Sequence, residues 1–195
     1  MNYPLDLTFR ITSIANDFSI VDANGESVAY VRQKMFKLKE HVQVYKDQSR
    51  TDLLFTIRAS KWLDFSASYQ FTDSNERMLG RVVRRGWKSL WKAHYEIYDN
   101  NDMQDFIISE ENPWAKVGDS FLGEIPILGF FTGYFFHPSY AVKRPDGTTV
   151  AQLKKVNSFF GRRFVINKVG EFSSAEESRI ILSMMMMILL ERQRG

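Results

Sequence analysis

The segment at residues 180–190, IILSMMMMILL, constrains the fold more than any other part of the chain. Ser183 is its single polar residue, so a helix over this segment has no polar face to offer to water. A transmembrane helix needs about 20 apolar residues, and this segment is shorter. A helix that is apolar on all sides belongs in a protein core. The rest of the chain is therefore predicted to enclose it.

A capping pattern predicts where this helix begins. Ser174 stands three residues before Glu177, and Ser followed by Glu at that spacing is typical of a helix N-terminus. Arg192 suits the C-terminal end, where the helix dipole favours positive charge. The predicted helix extends over about residues 174–192.

Five copies of one β-hairpin pattern precede the helix. Each copy alternates apolar and polar side chains, turns through Asp, Asn, Ser or Gly, and then resumes an apolar run. Asn, Asp and Gly tolerate the positive φ that hairpin turns require. The copies begin at Phe18, Val42, Tyr69, Tyr95 and Tyr140. The stretches LTFRITSI (residues 7–14) and RFVINKV (residues 163–169) add one strand on either side, so about twelve strands are predicted over residues 7–169.

The two predictions together indicate a closed barrel. A barrel of eight strands is filled by its own side chains, so about twelve strands leave room along the axis. A helix through a closed sheet is a known arrangement, and unbranched Met side chains fill the irregular space around such a helix. The predicted fold class is all-β with one helix. It is a single domain over residues 1–195, an antiparallel barrel enclosing the C-terminal helix.

The hairpins followed by an apolar helix resemble the LURP-one-related and phospholipid-scramblase families, which share the tubby C-terminal fold. The residues that carry the resemblance are YVRQKMFKLKEHVQVYKDQ (residues 30–48), residues 69–86 with LGRVVRR, YEIYD (residues 95–99) and the final helix. Residues 133–170 and the ending LLERQRG look like bacterial members of this group. The resemblance covers nearly the whole chain and implies a closed β-barrel around a C-terminal helix.

What the resemblance implies about function is narrower. Tubby proteins bind phosphoinositides through Lys and Arg on the barrel surface, and this chain has such residues. Eukaryotic scramblases carry a calcium-binding acidic segment and a palmitoylated Cys cluster. Here residues 170–177 lack the Asp pattern of that segment, and the chain has no Cys. A helix buried in a barrel cannot also span a bilayer, so the resemblance favours a binding module over lipid translocation.

Residues with catalytic or metal-binding spacing are not evident. His41, His94 and His137 are scattered and none lies at metal-ligand spacing from another. The chain contains no GxSxG, HExxH or P-loop motif. We therefore expect no catalytic residues, no metal, no cofactor and no enzymatic activity.

The acidic stretch at residues 99–105 invites a calcium-loop interpretation. An EF-hand loop needs Asp or Asn at its fifth position and Gly at its sixth, where this chain has Met103 and Gln104. The stretch is therefore interpreted as a hairpin turn.

Positive charge is concentrated in residues 77–95 and 147–170, neither of which contains an acid. Trp favours membrane–water interfaces, and each Lys or Arg near an anionic leaflet contributes about 1 kcal/mol. The candidate residues for binding a lipid headgroup or phosphate are Arg81, Arg84, Arg85, Lys88, Lys92, Lys154, Lys155, Arg162 and Arg163, with Trp87 and Trp91 as membrane contacts. The alternative is a solvated face whose Arg side chains pair with the acidic stretch. The sequence does not say whether the two basic stretches meet in space.

A second apolar stretch, residues 125–142, contains no charge but holds Pro126, Gly129, Gly133 and Pro138. It is interpreted as a loop and a buried strand, and the alternative is an aromatic membrane contact. No transmembrane segment is predicted.

The sequence is compatible with three functions. The leading hypothesis is a non-enzymatic module that recognises anionic phospholipids, phosphoinositides included, at a membrane surface. The second is a protein-interaction or scaffold domain using the acidic segment 96–124, where eight acids accompany one Lys. The third is nucleic-acid binding, against which the net charge of only +3 argues. Because the chain has no Cys and MNYPLDLTFR lacks signal-peptide features, we expect a cytoplasmic location, peripheral to the membrane.

Overall fold

A computed structural model describes residues 1–11, 15–34, 41–63, 66–85, 94–111, 139–156 and 162–192. Within these ranges twelve β-strands precede one α-helix. The strands are β1 (Leu5–Ile11), β2 (Ala15–Val21), β3 (Ser27–Lys34), β4 (His41–Tyr45), β5 (Leu53–Leu63), β6 (Ser66–Asp73), β7 (Met78–Arg84), β8 (His94–Asp99), β9 (Gln104–Glu110), β10 (Ser139–Lys143), β11 (Thr149–Val156) and β12 (Arg162–Lys168). The helix, α1, is Ser174–Arg192.

The strands form a closed antiparallel barrel in which each strand pairs with its neighbours in sequence. β1 closes the barrel by pairing with both β2 and β12. The closed barrel of twelve antiparallel strands with a C-terminal helix confirms the predicted fold class. Its first strand begins at Leu5, two residues before the predicted start.

The barrel interior and the helix form one core. Successive side chains of a strand point to opposite faces, so Leu5, Leu7 and Phe9 of β1 all point inward and are fully buried. Met184 to Met187 of α1 are buried on every side of the helix. The apolar segment of the sequence is thus enclosed by the strands that precede it. None of the described helices is long and apolar enough to cross a membrane.

The cap at the start of α1 lies one residue before the predicted position. The Ser173 backbone N–H donates to the Glu176 carboxylate at 2.7 Å, and the Glu176 N–H donates to Ser173 Oγ at 3.4 Å. Ser173 is therefore the capping residue and Glu176 its partner. The predicted pair, Ser174 and Glu177, lies inside the first turn because two Ser and two Glu stand next to each other at the same spacing.

All five hairpins have an Asp carboxylate that accepts a backbone N–H in the turn and a β-bulge in the second strand. In three of them an Asp carboxylate accepts backbone N–H groups two and four residues ahead, at Asp22, Asp73 and Asp99. Asp99 therefore closes a hairpin turn, as interpreted from the sequence. Each second strand then carries a β-bulge, at Val28, Leu54, Leu79, Asp105 and Val150.

Antiparallel order places the hairpin turns at one end of the barrel, which we call the turn end. The helix also begins there, since α1 follows the last residues of β12. The opposite end holds Arg84, Val156, Arg162 and the last residue of α1, Arg192. We call it the basic end.

Some predicted features lie outside the described residues. These are Trp87, Lys88, Trp91, Lys92 and the aromatic stretch up to residue 138.

Candidate functional site

Arg81 and Arg85 lie on the outer wall of the barrel and are held by acidic side chains. Arg81 Nε lies 2.8 Å from Asp102 Oδ1, and its guanidinium stacks 4.2 Å from the ring centre of Tyr98. Arg85 Nε donates to Glu96 Oε2 at 2.8 Å. Both partners belong to the acidic segment 96–124, which is the pairing that the alternative interpretation expects. These two Arg side chains already have anionic partners.

Glu96 is a nearly buried carboxylate on this outer wall. Burial acts to raise its pKa, but hydrogen bonds from the Tyr98 hydroxyl at 2.7 Å and from Arg85 lower the pKa below its ordinary value. His94 Nε2 lies 3.6 Å from the other carboxylate oxygen. An ionised Glu96 therefore gathers three side chains and fixes Arg85 to the wall between β7 and β8.

Arg84 lies on the inner face of β7, opposite to the outer face that carries Arg81. It shares the face of Val82, which points into the barrel, and lies at the last position of β7. Burial raises the pKa of Tyr69 and the positive charge of Arg84 opposes this, so the two side chains are near each other. Arg84 thus lies at the inner rim of the basic end.

The second basic stretch brings together four candidates on neighbouring strands. Lys154 of β11 is opposite Val165 of β12, and Lys155 is opposite Phe164. Arg163 is paired on the outer wall, where its Nε donates to Asp6 at 2.7 Å. No described carboxylate forms an ion pair with Lys154, Lys155 or Arg162. We call these three residues the basic cluster.

The geometry of the basic cluster follows from the strand register. Phe164 points inward, so Lys155 opposite it and Arg162 two residues before it share that face at the rim of the barrel. Such diagonal neighbours have backbones about 7–8 Å apart, which long Lys and Arg side chains bridge. The pair can therefore hold one phosphate between an ammonium and a guanidinium group. Lys154 is exposed on the adjacent outer face.

The two basic stretches share an end of the barrel but are not neighbours. β8, β9 and β10 separate β7 from β11 in the closed sheet. Four strand spacings of about 4.8 Å give roughly 19 Å between Arg84 and Lys155 along the sheet. The seven described residues among the predicted basic candidates therefore do not form one patch. The described ones divide into paired wall residues and the basic cluster, with Arg84 at the rim.

The acidic segment also makes contacts within the protein. Asp99 closes a turn, Asp102 pairs with Arg81, and Glu111 accepts hydrogen bonds from Ser139 and Gln152. Among its described residues, 96–111, the turn around Asp102 and Met103 is exposed, with exposed fractions of 74% for the Asp102 side chain and 68% for Met103.

Sequence analysis missed a buried ion pair between α1 and the barrel. Arg179 pairs with Asp105, and its Nη1 donates to the carbonyl oxygen of Leu79 at 3.3 Å. Burial raises the pKa of Asp105, and the charge of Arg179 acts in the opposite direction. Beside it, Arg144 pairs with Glu176 at 2.8 Å. These pairs join the first turns of the helix to β9 and β10.

The bulge in β9 explains how Asp105 reaches the helix. At the equivalent bulges, Val28, Leu79 and Val150 pack against the core, so this position faces the inside of the barrel. In the sequence, Asp105 is a charged residue at a hairpin position that is apolar in the other repeats. This difference could have indicated a buried ion pair. Asp105 departs from the repeat because it meets Arg179.

Gly80 makes room for this ion pair. Its φ is +144°, and a Cβ there would lie 2.3 Å from the carbonyl oxygen of Tyr98 and 2.7 Å from Cδ of Arg179. Glycine is thus required at position 80, where the Arg179 side chain packs directly against the backbone of β7.

Among the described residues, no group of three His, Asp or Glu side chains is placed to hold a metal ion. His41 and His94 lie at the first residues of β4 and β8, on separate parts of the wall, and His137 is outside the described ranges.

Comparisons with known proteins identify the group to which the chain is similar. The family model described as LURP-one-related matches residues 27–187. An X-ray structure of a protein from Arabidopsis thaliana has 16% sequence identity and a TM-score of 0.48, covering 93% of this chain and 90% of that chain. No curated protein matches the sequence.

Proposed function

Because the chain belongs to the LURP-one-related family, whose barrel encloses a helix here, we propose that it is a non-enzymatic binding module for anionic phospholipid headgroups at a membrane surface. The observation that carries the proposal is the basic cluster. Lys154, Lys155 and Arg162 are placed at one rim without an ion pair to any described acid. Of these, Lys155 and Arg162 share the inner rim, and two neighbouring cations without an ion pair to a described acid suit a phosphate.

The strength of such binding follows from surface electrostatics. Each Lys or Arg near an anionic leaflet contributes about 1 kcal/mol, so the basic cluster supplies about 3 kcal/mol. Arg81, Arg85 and Arg163 add less, since a neighbouring carboxylate cancels most of their field at the membrane. Binding is therefore expected to be weak and reversible, and to fall with salt.

The absence of enzymatic activity is part of the proposal. The nearly buried acids with shifted pKa values, Glu96, Asp105 and Glu176, each form an ion pair with an Arg. Such pairs perturb pKa values for structural reasons. A cytoplasmic location, peripheral to the membrane, is proposed with it because the chain has no Cys and its apolar helix is packed inside the barrel.

Vesicle co-sedimentation tests the proposal. The protein is mixed with neutral, phosphatidylserine-containing and phosphoinositide-containing liposomes at low and at physiological salt. We expect binding to the anionic vesicles alone, reduced by salt, and lost in Lys155→Gln/Arg162→Gln. If the wild-type protein ignores all anionic vesicles at low salt, lipid binding is refuted.

A second candidate function is a protein-interaction or scaffold domain of scramblase-like fold without scrambling activity. The exposed turn at Asp102 and Met103 favours it, because a large exposed apolar side chain beside a carboxylate suits a basic, apolar partner. Substitutions of Asp99 or Asp105 are unsuitable tests of this function, because they disturb a turn and a buried ion pair.

The suitable test is cross-linking in cell extract of the wild-type protein and of Met103→Ser. Equal cross-linked products from both proteins would count against this turn as the binding site.

A further inference from the structure

The carboxylates of the turn end are fixed there by their own hydrogen bonds. In every hairpin turn an Asp carboxylate accepts the backbone N–H of the residue two positions ahead; the accepting residues are Asp22, Asp47, Asp73, Asp99 and Asp146. These bonds lower the pKa of each carboxyl below its ordinary value, so all five are ionised at neutral pH. The turn end therefore presents a ring of ionised carboxylates, of which Asp73 is paired with Arg77.

The opposite end carries positive charge at its strand ends. The basic cluster and Arg84 lie there. Of the described acids near this end, Asp17 and Glu96 are paired with Arg32 and Arg85, and Glu111 accepts hydrogen bonds from Ser139 and Gln152. Glu110 is the last residue of β9. The positive charge at this end is thus not cancelled by its own acids.

The outer wall between the two ends is largely neutralised. Four close pairs of opposite sign lie on it, namely Arg32–Asp17, Arg81–Asp102, Arg85–Glu96 and Arg163–Asp6. Arg58 of β5 is an exposed wall charge outside these pairs. A pair within 4 Å has little field a Debye length away. The protein therefore has an electrostatic axis that coincides with the barrel axis.

The two ends are far enough apart to act independently at a surface. A strand of seven residues tilted by about 40° spans roughly 18 Å along the barrel axis. The Debye length at physiological salt is about 8 Å. When the basic end touches an anionic leaflet, the carboxylates of the turn end are beyond its screened field. Contact through the wall would instead bring both ends within reach of it.

The helix dipole acts against this axis but is smaller. α1 ends at Arg192 at the basic end, where the dipole places about half a negative charge. The three full charges of the basic cluster exceed it. The field at the basic end therefore stays positive.

The structure assigns an orientation to the bound protein: we propose that the barrel docks end-on, with the basic end against the anionic leaflet and the hairpin turns facing away. This inference rests on the proposed lipid-binding function and specifies which part of the molecule meets the membrane. Lys155 and Arg162 then contact one phosphate at the inner rim, and Lys154 contacts the leaflet beside it.

Two variants with equal loss of charge at opposite ends test the orientation. Lys154→Gln/Arg162→Gln removes two positive charges from the basic end, and Lys46→Gln/Lys143→Gln removes two from the turn end. We expect the first to weaken binding to phosphatidylserine vesicles on the order of 30-fold, and the second less than about threefold, because Lys46 and Lys143 face away from the leaflet. Circular dichroism checks that both variants keep the wild-type fold.

Fluorescent probes report the orientation without removing charge. Since the chain has no Cys, Val156→Cys at the basic end and Asn24→Cys at the turn end each give a single labelling site. A polarity-sensitive dye should shift to shorter wavelength and be quenched by brominated lipid at position 156 only. Equal quenching at both positions would refute end-on docking and indicate contact through the wall. Quenching at position 24 alone would indicate that the turn end, not the basic end, contacts the leaflet.

The outcomes separate the two proposals. Vesicle binding with equal loss in the two charge variants, or with either contrary quenching pattern, refutes the orientation and leaves lipid binding standing. No binding of the wild-type protein to anionic vesicles refutes both.

Discussion

Breaking the ion pair between Arg179 and Asp105 tests how the central helix is held. Asp105→Ala removes the carboxylate partner of Arg179, whose side chain is only 9% exposed. Removing one partner of a buried ion pair costs about 3–5 kcal/mol. Arg179 keeps its hydrogen bond to the carbonyl of Leu79, and the Asp105 side chain is 19% exposed, so we expect a cost near the lower limit, about 3 kcal/mol.

Replacing both partners by apolar residues should restore the stability. Burial, together with the charges of Asp99 and Glu176, raises the pKa of Asp105 in spite of Arg179, so the ionised carboxylate is disfavoured at this position. The equivalent bulge carries Leu54 or Leu79 in two other hairpins, and Met is the commonest residue of α1. Asp105→Leu/Arg179→Met should therefore unfold within about 1 kcal/mol of the wild-type protein.

Thermal and urea unfolding followed by circular dichroism measure both effects. In a chain of this size 1 kcal/mol corresponds to about 2–4 °C, so the single variant should lose roughly 6–12 °C and the double variant less than about 4 °C. A double variant as unstable as Asp105→Ala would refute the argument. So would a single variant that unfolds like the wild-type protein, since the guanidinium would then not need its partner.

Three further perturbations have defined outcomes. Gly80→Ala should lower the unfolding temperature strongly because its Cβ collides with backbone, whereas Gly25→Ala, with a φ of +80° but nothing within 4 Å, should cost only about 1–2 kcal/mol in urea unfolding. Ser183→Ala should leave stability unchanged or raise it, since the buried Ser183 hydroxyl has no hydrogen-bond partner in the described part of the chain, and a calorimetric loss of more than about 1 kcal/mol would contradict this. Asp73 and Asp99 have pKa values lowered by backbone N–H bonds, so their contribution is complete above the ordinary Asp pKa and is lost as pH falls below about 4; Asp73→Asn/Asp99→Asn should flatten that acid-side loss in a pH series of unfolding curves.

The sequence alone determined the architecture because the relevant signals are local. An apolar helix without a polar face needs an enclosure, and alternating strands joined by Asp- and Gly-containing turns provide one. The strand count, the closure and the helix bounds all follow from periodicities within a few residues of each position. Even the one-residue error at the helix cap came from two equivalent Ser and Glu pairs, which local spacing does not distinguish.

The electrostatics were decided by the tertiary structure. The basic and acidic stretches were visible in the sequence, but strand order places three strands between Arg84 and Lys155, and strand register pairs Arg81 and Arg85 with acids across β7 and β8. A bulge turns Asp105 inward to Arg179, 74 positions later in the chain. These ion-pair partners are far apart in sequence. The periodicity of a strand predicts which face a side chain is on, but it does not predict which side chain from another strand lies beside it.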